Sequence, residues 1–539
     1  MDILKTKRLD HLGLVMGSLR EFNIIDFIDE KLGNHHLEKV SPGEAIAAMI
    51  INGLGFVSRP LSLTPQFFET KALDLLFGRQ IEAEDFNRHR LGRALDQVHQ
   101  YGCELLFSQI ATHICQKIKL DQTFTSLDTT TFSLSGEYDV DTDEQEIKIT
   151  HGYSKDHRPD LKQVMLELVT SQDGGIPLIM KCLDGNASDN KVFQERCKQF
   201  LAAFKASEGP RYVVGDSKLY HKNNKENLAS IKYITRIPST YQEENKAIEV
   251  STASNEWIKL DEHNQYYEYK LTHLDIEQRW IVVNSAAARQ RAEITTSRQI
   301  AKEYQAIDRA LLHLTNQDFS CELDANESFN QLRAKFTYHE LILVSVKCLN
   351  CYQGVGRPKK DSVANKQIYR VEAVIACLIE ARQKRLMAQS AYVIGTNTKA
   401  EELSAQAVIE AYKNQNASIE RGFRFLKDPR FFVSSFYIKK PSRIMSLLMI
   451  MTLSLLVYSV LQRHLRKALA DQGETLPNQI NQQINNPTIR WIFQLMEGID
   501  VIYIRNKDEI HKQIMGISQL KQKIIRLFYL PMHAIYLLN

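Results

Sequence analysis

The sequence predicts a mixed α/β protein with helical segments at both ends. Three observations carry this. Residues 1–115 place apolar residues at helical spacing. From about residue 122 the chain turns to short runs rich in Thr, Phe, Val and Ile. From Ser390 a strand, a helix and a long apolar helix follow in turn.

In the N-terminal part, Ser41 and Pro42 precede GEAIAAMIINGLGF. Ser41 suits an N-cap and Pro42 the first helical position. Next, TFTSLDTTTFSLSG reads as a strand, and so do the ends of EIKITHGYSKDHRPDLKQVMLELVTS. GGIPLIMKCLDG is a third strand, residues 190–207 a helix, and RYVVGDSKLY a short strand that ends in an acid. Residues 230–389 are less regular, with strand-like IKYITRI, QYYEYKLTH and RWIVVNS before long helical stretches. SAYVIGTNT is again a strand. A helix through NASIERGFRFLK follows, and Ile444–Leu461 runs eighteen residues without a charge. That run is long enough to span a membrane, but its Ser, Thr and Tyr residues and the lack of a partner span favour a helix buried in a large core. An Asn/Gln-rich linker covers 471–487.

Composition narrows the function classes. The chain has 539 residues, 44% hydrophobic and 24% charged, which is ordinary for globular proteins. No secretory signal opens it, and eight Cys are too sparse for a disulfide framework, so reduced thiols in the cytoplasm are expected. Cys348 and Cys351 form a lone C-x2-C without a second pair at zinc-ribbon spacing. Net charge is +4, unevenly spread: residues 421–539 hold 17 Lys+Arg against 7 Asp+Glu. An excess of positive charge at one end is a footprint of a polyanionic partner.

Three acids stand out. Asp128 and Asp216 end apolar runs, and Glu420 lies on a helix. Functional groups gather at the carboxyl ends of strands in open α/β sheets, and a buried acid is costly unless paired or metal-bound. Such a set could hold two divalent cations through oxygen and act on a phosphodiester. Glu420, Arg424 and Lys427 fall at i, i+4 and i+7, on one helix face. The spacing alone favours a surface ion pair between Glu420 and Arg424.

The order Asp128, Asp216, Glu420, with Lys427 seven residues on, resembles the DDE transposases of bacterial insertion sequences. It is most like the branch ending in Tyr-x2-Arg-x3-Glu-x6-Lys. GYSKDHRPDLKQV and IERGFRFLKDPRFF are similar to one subgroup of that branch. The resemblance covers about residues 1–465. It implies a ribonuclease-H-like mixed-sheet core split by an insertion domain, with helical N-terminal and C-terminal parts. The segments would be a helical module for DNA ends or dimerisation (1–118), the first part of the core (119–238), the insertion (239–388), the second part of the core (389–465) and a basic C-terminal region (466–539). It further implies Mg2+, with Mn2+ able to substitute, at Asp128, Asp216 and Glu420. The partners would be terminal inverted repeats, target DNA and a second copy of the chain, with no membrane and with location at the bacterial nucleoid. Tyr412 lies eight residues before the Glu, where the family has its Tyr at seven, and the family Arg position counts to Asn416.

Other residues have two readings. His157 and Arg158, in a polar turn, suit DNA phosphate or solvated charge. Arg357, in GVGRPKK, sits either in an exposed Gly/Pro loop or in a hook for a narrow minor groove, with Lys359 and Lys360 on phosphates. DVDTDE imitates the start of a calcium loop but lacks its Gly and its final Glu. Asp189 suits a helix cap, and Lys218 and Tyr220 lie beside Asp216. Two other classes stay open: a metal nuclease without strand transfer, and an inactive DNA-binding regulator.

Overall fold

The computed structural model describes residues 2–35, 37–56, 59–138, 146–154, 158–187, 211–221, 225–254, 256–352, 363–428, 438–506 and 509–538. The segments read as a calcium-loop mimic (139–144) and as a helix (190–207) lie outside these. Contacts divide the chain into two units, residues 1–235 with 407–539, and residues 236–406.

The first unit opens on β1 (Asp2–Arg8), where the sequence reading expected only helix. Its antiparallel partner, Asp500–Asn506, is nearly the whole chain away and turns back through Glu509–Met515. A distant partner leaves no local signal, and the same hairpin corrects the helical reading of the tail. Seven helices follow: α1 (Leu12–Glu21), α2 (Ile24–Leu32), α3 (Pro42–Leu54), α4 (Thr64–Phe68), α5 (Leu73–Phe77), α6 (Arg88–Tyr101) and α7 (Cys103–Ile118). At the start of α3 the Ser41 hydroxyl accepts from the Glu44 amide at 3.1 Å, and the Ser41 amide donates to Glu44 Oε2 at 2.9 Å. Pro42 occupies the first turn, so two orphan donors are satisfied where the sequence placed the helix start.

The central sheet of this unit has β2 (Phe124–Leu134), β3 (Lys162–Ser171), β4 (Pro177–Leu183), β5 (Tyr212–Gly215) and β6 (Lys232–Arg236), in the order β4-β3-β2-β5-β6. β2, β5 and β6 are parallel; β3 runs antiparallel between β2 and β4. This is the ribonuclease-H-like mixed sheet that the resemblance implies. Every β3 residue after Lys162 is buried, as a strand covered on both faces requires. After β5, α8 (Lys225–Ser230) and β6 the chain leaves for the second unit.

That unit contains α9 (Gln242–Ala253), β7 (Ile258–Lys259), β8 (Asn264–His273), β9 (Ile276–Ser285), α10 (Ala286–Thr315), α11 (Glu322–Arg333), β10 (His339–Cys351), β11 (Lys366–Cys377), α12 (Ile379–Ser390) and β12 (Ala391–Thr396). β12, β9, β8 and β7 pair antiparallel in that order. β10 and β11 form a separate hairpin, packed with α10 and α11 around Ile307, Phe329, Leu341 and Val371. Contacts group residues 389–406 with this unit, and β12 is bonded to β9 along its length. Cys348 and Cys351 lie on β10, three apart, so they point to opposite faces and cannot share a metal.

The chain returns to the first unit through α13 (Ala405–Gln415), a π turn (Asn416–Glu420) and α14 (Arg421–Leu426), then α15 (Pro441–Gln472) and α16 (Ile489–Leu495). α15 is long and apolar enough to cross a membrane, and 83% of its most apolar stretch is buried inside the protein. α1, α3, α6, α7, β4, α14 and α16 all pack on it. Its hydroxyls are satisfied: Thr452 donates to Leu448 O at 2.8 Å, and Ser446 to Leu95 O at 2.7 Å. The first and last segments share this core. A side-chain carbon added at Gly17 would lie 2.2 Å from Met532 Cγ.

His11 shows the same closure. It is buried, stacked on Phe493 of α16 at 4.4 Å, and its Nε2–H donates to Leu54 O at 2.8 Å. Burial pushes its pKa down to about 4, against the hydrogen bond. The unfolded chain takes up this proton near 6.5, so stability is full above that pH and falls as pH drops toward 4. Between pH 7 and 5 the His11 contribution to unfolding free energy falls by about 2 kcal/mol. Urea unfolding at both pH values should show that much more loss in wild type than in His11→Gln.

Candidate functional site

Asp128 lies within β2 and Asp216 follows β5. The parallel register pairs Leu127 with Gly215, so the two acids occupy the next step side by side. Both line one small cavity of ≈ 30 Å³ together with Glu167, Thr129 and Lys218. Local bonds fix each acid. Asp128 Oδ1 accepts from the Thr129 amide at 2.7 Å, and Asp216 Oδ1 from the Lys218 amide at 3.0 Å. The Asp216 carbonyl accepts from Thr235 Oγ1 of β6 at 2.7 Å, tying the loop after β5 to the sheet.

Glu167 is the acid the sequence reading missed. It is buried and lies opposite Thr129 on β3. Its signal was present: one acid inside the apolar run VMLELV, which burial makes costly without a purpose.

Glu420 comes from the other side. The π turn that carries it packs against β2 and β3. Ser418 Oγ lies 3.5 Å from Ser126 Oγ, and Ser126 shares its strand face with Asp128. The β3–β4 turn seats the same helix. Gln172 donates to Ser126 Oγ at 3.1 Å and to Ala411 O at 2.8 Å. Asp173 is gripped by Arg463 of α15 through two bonds of 2.8 and 2.7 Å. Burial opposes ionisation of Asp173, but the Arg463 fork, the Asp121 amide and the charge of Lys467 together outweigh it, so its pKa lies below the usual range.

The Glu420 carboxylate is half-exposed and does not line the Asp128–Asp216 cavity. It accepts from Arg424 Nη2 at 3.1 Å. Lys427 lies farther along, its Nζ 5.8 Å from the centre of the Phe132 ring. Phe132 lies on the same β2 face as Asp128, so Lys427 overlooks that face. A π turn, Asn416–Glu420, lies between Tyr412 and Glu420. Its coil is wider than that of an α-helix and takes up one residue more. Gln415, just before it, is buried.

The remaining candidates stand apart. Arg158 forms an exposed ion pair with Asp160 at 2.7 Å. Asp184 accepts from the Lys148 amide at 2.8 Å, as a turn does. Tyr220 is a core residue. His157, Asp189, Arg357, Lys359 and Lys360 lie outside the described residues. Among the described residues no three His, Cys, Asp or Glu side chains cluster as a metal site. Asp128 and Asp216 nevertheless supply hard oxygen donors to one cavity, the donor chemistry that Mg2+ and Ca2+ take.

Residues 120–457 match the family described as the Transposase DDE domain, and residues 4–112 match a domain of unknown function, DUF4277. The chain therefore belongs to the DDE transposase family and is an enzyme acting on DNA. That family generally uses divalent metal ions. A search of the curated proteins finds no match. Among solved structures, one similar chain comes from the cryo-EM structure of a piggyBac transposase synaptic complex with hairpin DNA. It is 8% identical, with 91% of this chain and 80% of that chain covered, at a TM-score of 0.36.

Gly175, in the β3–β4 turn, has φ +67°, and a side-chain carbon there would lie 3.2 Å from Ser418 O. Gly175→Ala should cost about 1–2 kcal/mol in urea unfolding. Amide exchange across residues 416–420 should become faster, because the turn that seats the π helix is displaced.

Proposed function

We propose that this protein cuts DNA at the ends of its own element and joins the freed strand to target DNA, with Asp128, Asp216 and Glu420 as the carboxylate set. The observation that supports this best is the pairing of Asp128 and Asp216 on adjacent parallel strands, on the face against which the Glu420 helix is seated. Asp128 and Asp216 would hold Mg2+ or Mn2+, joined by Glu420 once it parts from Arg424. When bound, the ions activate the attacking oxygen and neutralise charge on the phosphodiester.

The chain's own residues then have separate tasks. The exposed Glu420–Arg424 pair is worth only a few tenths of a kcal/mol, so an entering phosphate can take Arg424 from it. Lys427 and Tyr412 orient the backbone on the same helix. Water attacks the phosphorus at the element end and the bond to the 3′ oxygen breaks. The freed 3′-OH, losing its proton to solvent, then attacks a target phosphorus, and the target's own 3′ oxygen leaves as a new 3′-OH. The ends recognised would be terminal inverted repeats, bound by a homodimer in the cytoplasm at the nucleoid. Arg158, His157 and Arg357 remain proposed DNA contacts.

Labelled DNA with the gene's own flanks tests this. Wild type should nick a defined flank position in Mg2+ or Mn2+ and not in EDTA. Asp128→Asn, Asp216→Asn and Glu420→Gln should each lower nicking by at least about a hundredfold while binding the flank as wild type does. Unchanged cleavage by Glu420→Gln would remove that residue from the site. Nicking without joined product would favour a nuclease.

A further inference from the structure

A second and larger cleft, ≈ 510 Å³, lies in the same unit on the helix that carries Glu420. Four arginines line it: Arg421 and Arg424 from α14, Arg466 from α15 and Arg490 from α16. Asp428 is its only lining acid among the described residues, and it is ion-paired with Arg490. Arg424 is held by Glu420. Arg421 and Arg466 have no carboxylate partner among the described residues. Among the described residues Arg466 donates its Nε–H to the Pro487 carbonyl at 3.0 Å. Burial lowers the Arg466 pKa, and the nearby positive charge of Arg421 lowers it further. Two like-charged guanidiniums that share a cleft, one of them half-buried, carry a cost that an anion between them offsets. The other polar lining, Gln172, Asn414, Ser418, Gln462 and Thr488, offers amide and hydroxyl donors. The guanidinium fork matches the paired oxygens of a phosphate.

We propose that this cleft seats the phosphate backbone of a DNA strand, with Arg421 and Arg466 clamping one phosphate. This rests on the reading of the protein as an enzyme acting on DNA. It assigns a task to the long helix and the segment after it, which lie outside the acidic site. Arg421 directly follows Glu420, so a strand held here runs past the glutamate.

The test is fluorescence anisotropy of the full-length protein in EDTA, over a potassium chloride series. The probes are a labelled duplex and a labelled single strand of mixed sequence. Losing one phosphate contact should flatten the slope of log affinity against log salt by about 0.9 on duplex or about 0.7 on single strand. Arg421→Gln, at an exposed position, should show this alone, with affinity about tenfold lower. Arg421→Gln with Arg466→Gln should lower the slope no further, because both hold the same phosphate. Arg466→Lys should recover part of the affinity. Wild-type slope and affinity in both glutamine variants, with unchanged melting, would overturn the clamp. Inorganic phosphate bound by wild type and not by the variants, with DNA affinity equal in all, would make the cleft a free-phosphate site and also overturn it. Asp128→Asn should keep the wild-type slope. If Asp128→Asn still cleaves while the arginine variants flatten the slope, the acidic-site reading fails and the clamp stands.

Discussion

The structure of the first unit depends on one constraint, the burial of α15. A helix with eighteen successive uncharged residues has to be covered on every side, and fully burying each Leu, Ile or Met on it contributes about 1.5–3 kcal/mol. N-terminal helices cover one flank, β4 another, and α14 and α16 the rest. Chain ends more than five hundred residues apart are thereby drawn into one core, as the contact of Gly17 with Met532 shows. Only the ends of the helix are charged, and there Arg443 and Arg463 reach out to Asp96 and Asp173.

That core also positions the chemistry. α14 lies on α15, so the helix bearing Glu420 is set by the same burial that closes the chain. From the sheet side, the β3–β4 turn is bound to α15 through Asp173 and to α13 through Gln172, and Gly175 lies against Ser418 of the π turn. Asp128 and Asp216 need no such help, because parallel register alone sets them side by side. Two of the three acids, Asp128 and Asp216, are thus fixed by a sheet, and Glu420, outside their cavity, by helix packing. The third has the freer carboxylate, paired across solvent with Arg424.

Charge follows the same division. The positive excess in residues 421–539 is not spread evenly over a solvated tail. Arg421, Arg424, Arg466 and Arg490 converge on one cleft beside the glutamate helix, whereas Arg443 and Arg463 are consumed by structural pairs. Counting charges along the chain cannot separate these groups, because residues far apart in sequence share a surface only once α15 is packed.

The sequence by itself determined the parts whose signals are local. The strand through Asp128, the strand ending before Asp216, the capped start at Ser41 and the apolar run at 444–461 could all be read from residue type and spacing. The order Asp, Asp, Glu placed the chain in its family. Tertiary structure decided what depends on distant partners. β1 was invisible because its partner strand begins at residue 500. Glu167 drew no notice until β3 was laid against β2. The π turn between Tyr412 and Glu420 left no mark in residue type or spacing. Local propensity and periodicity act over a few residues, whereas register, helix seating and the meeting of like charges arise only when segments from both ends of the chain are buried together.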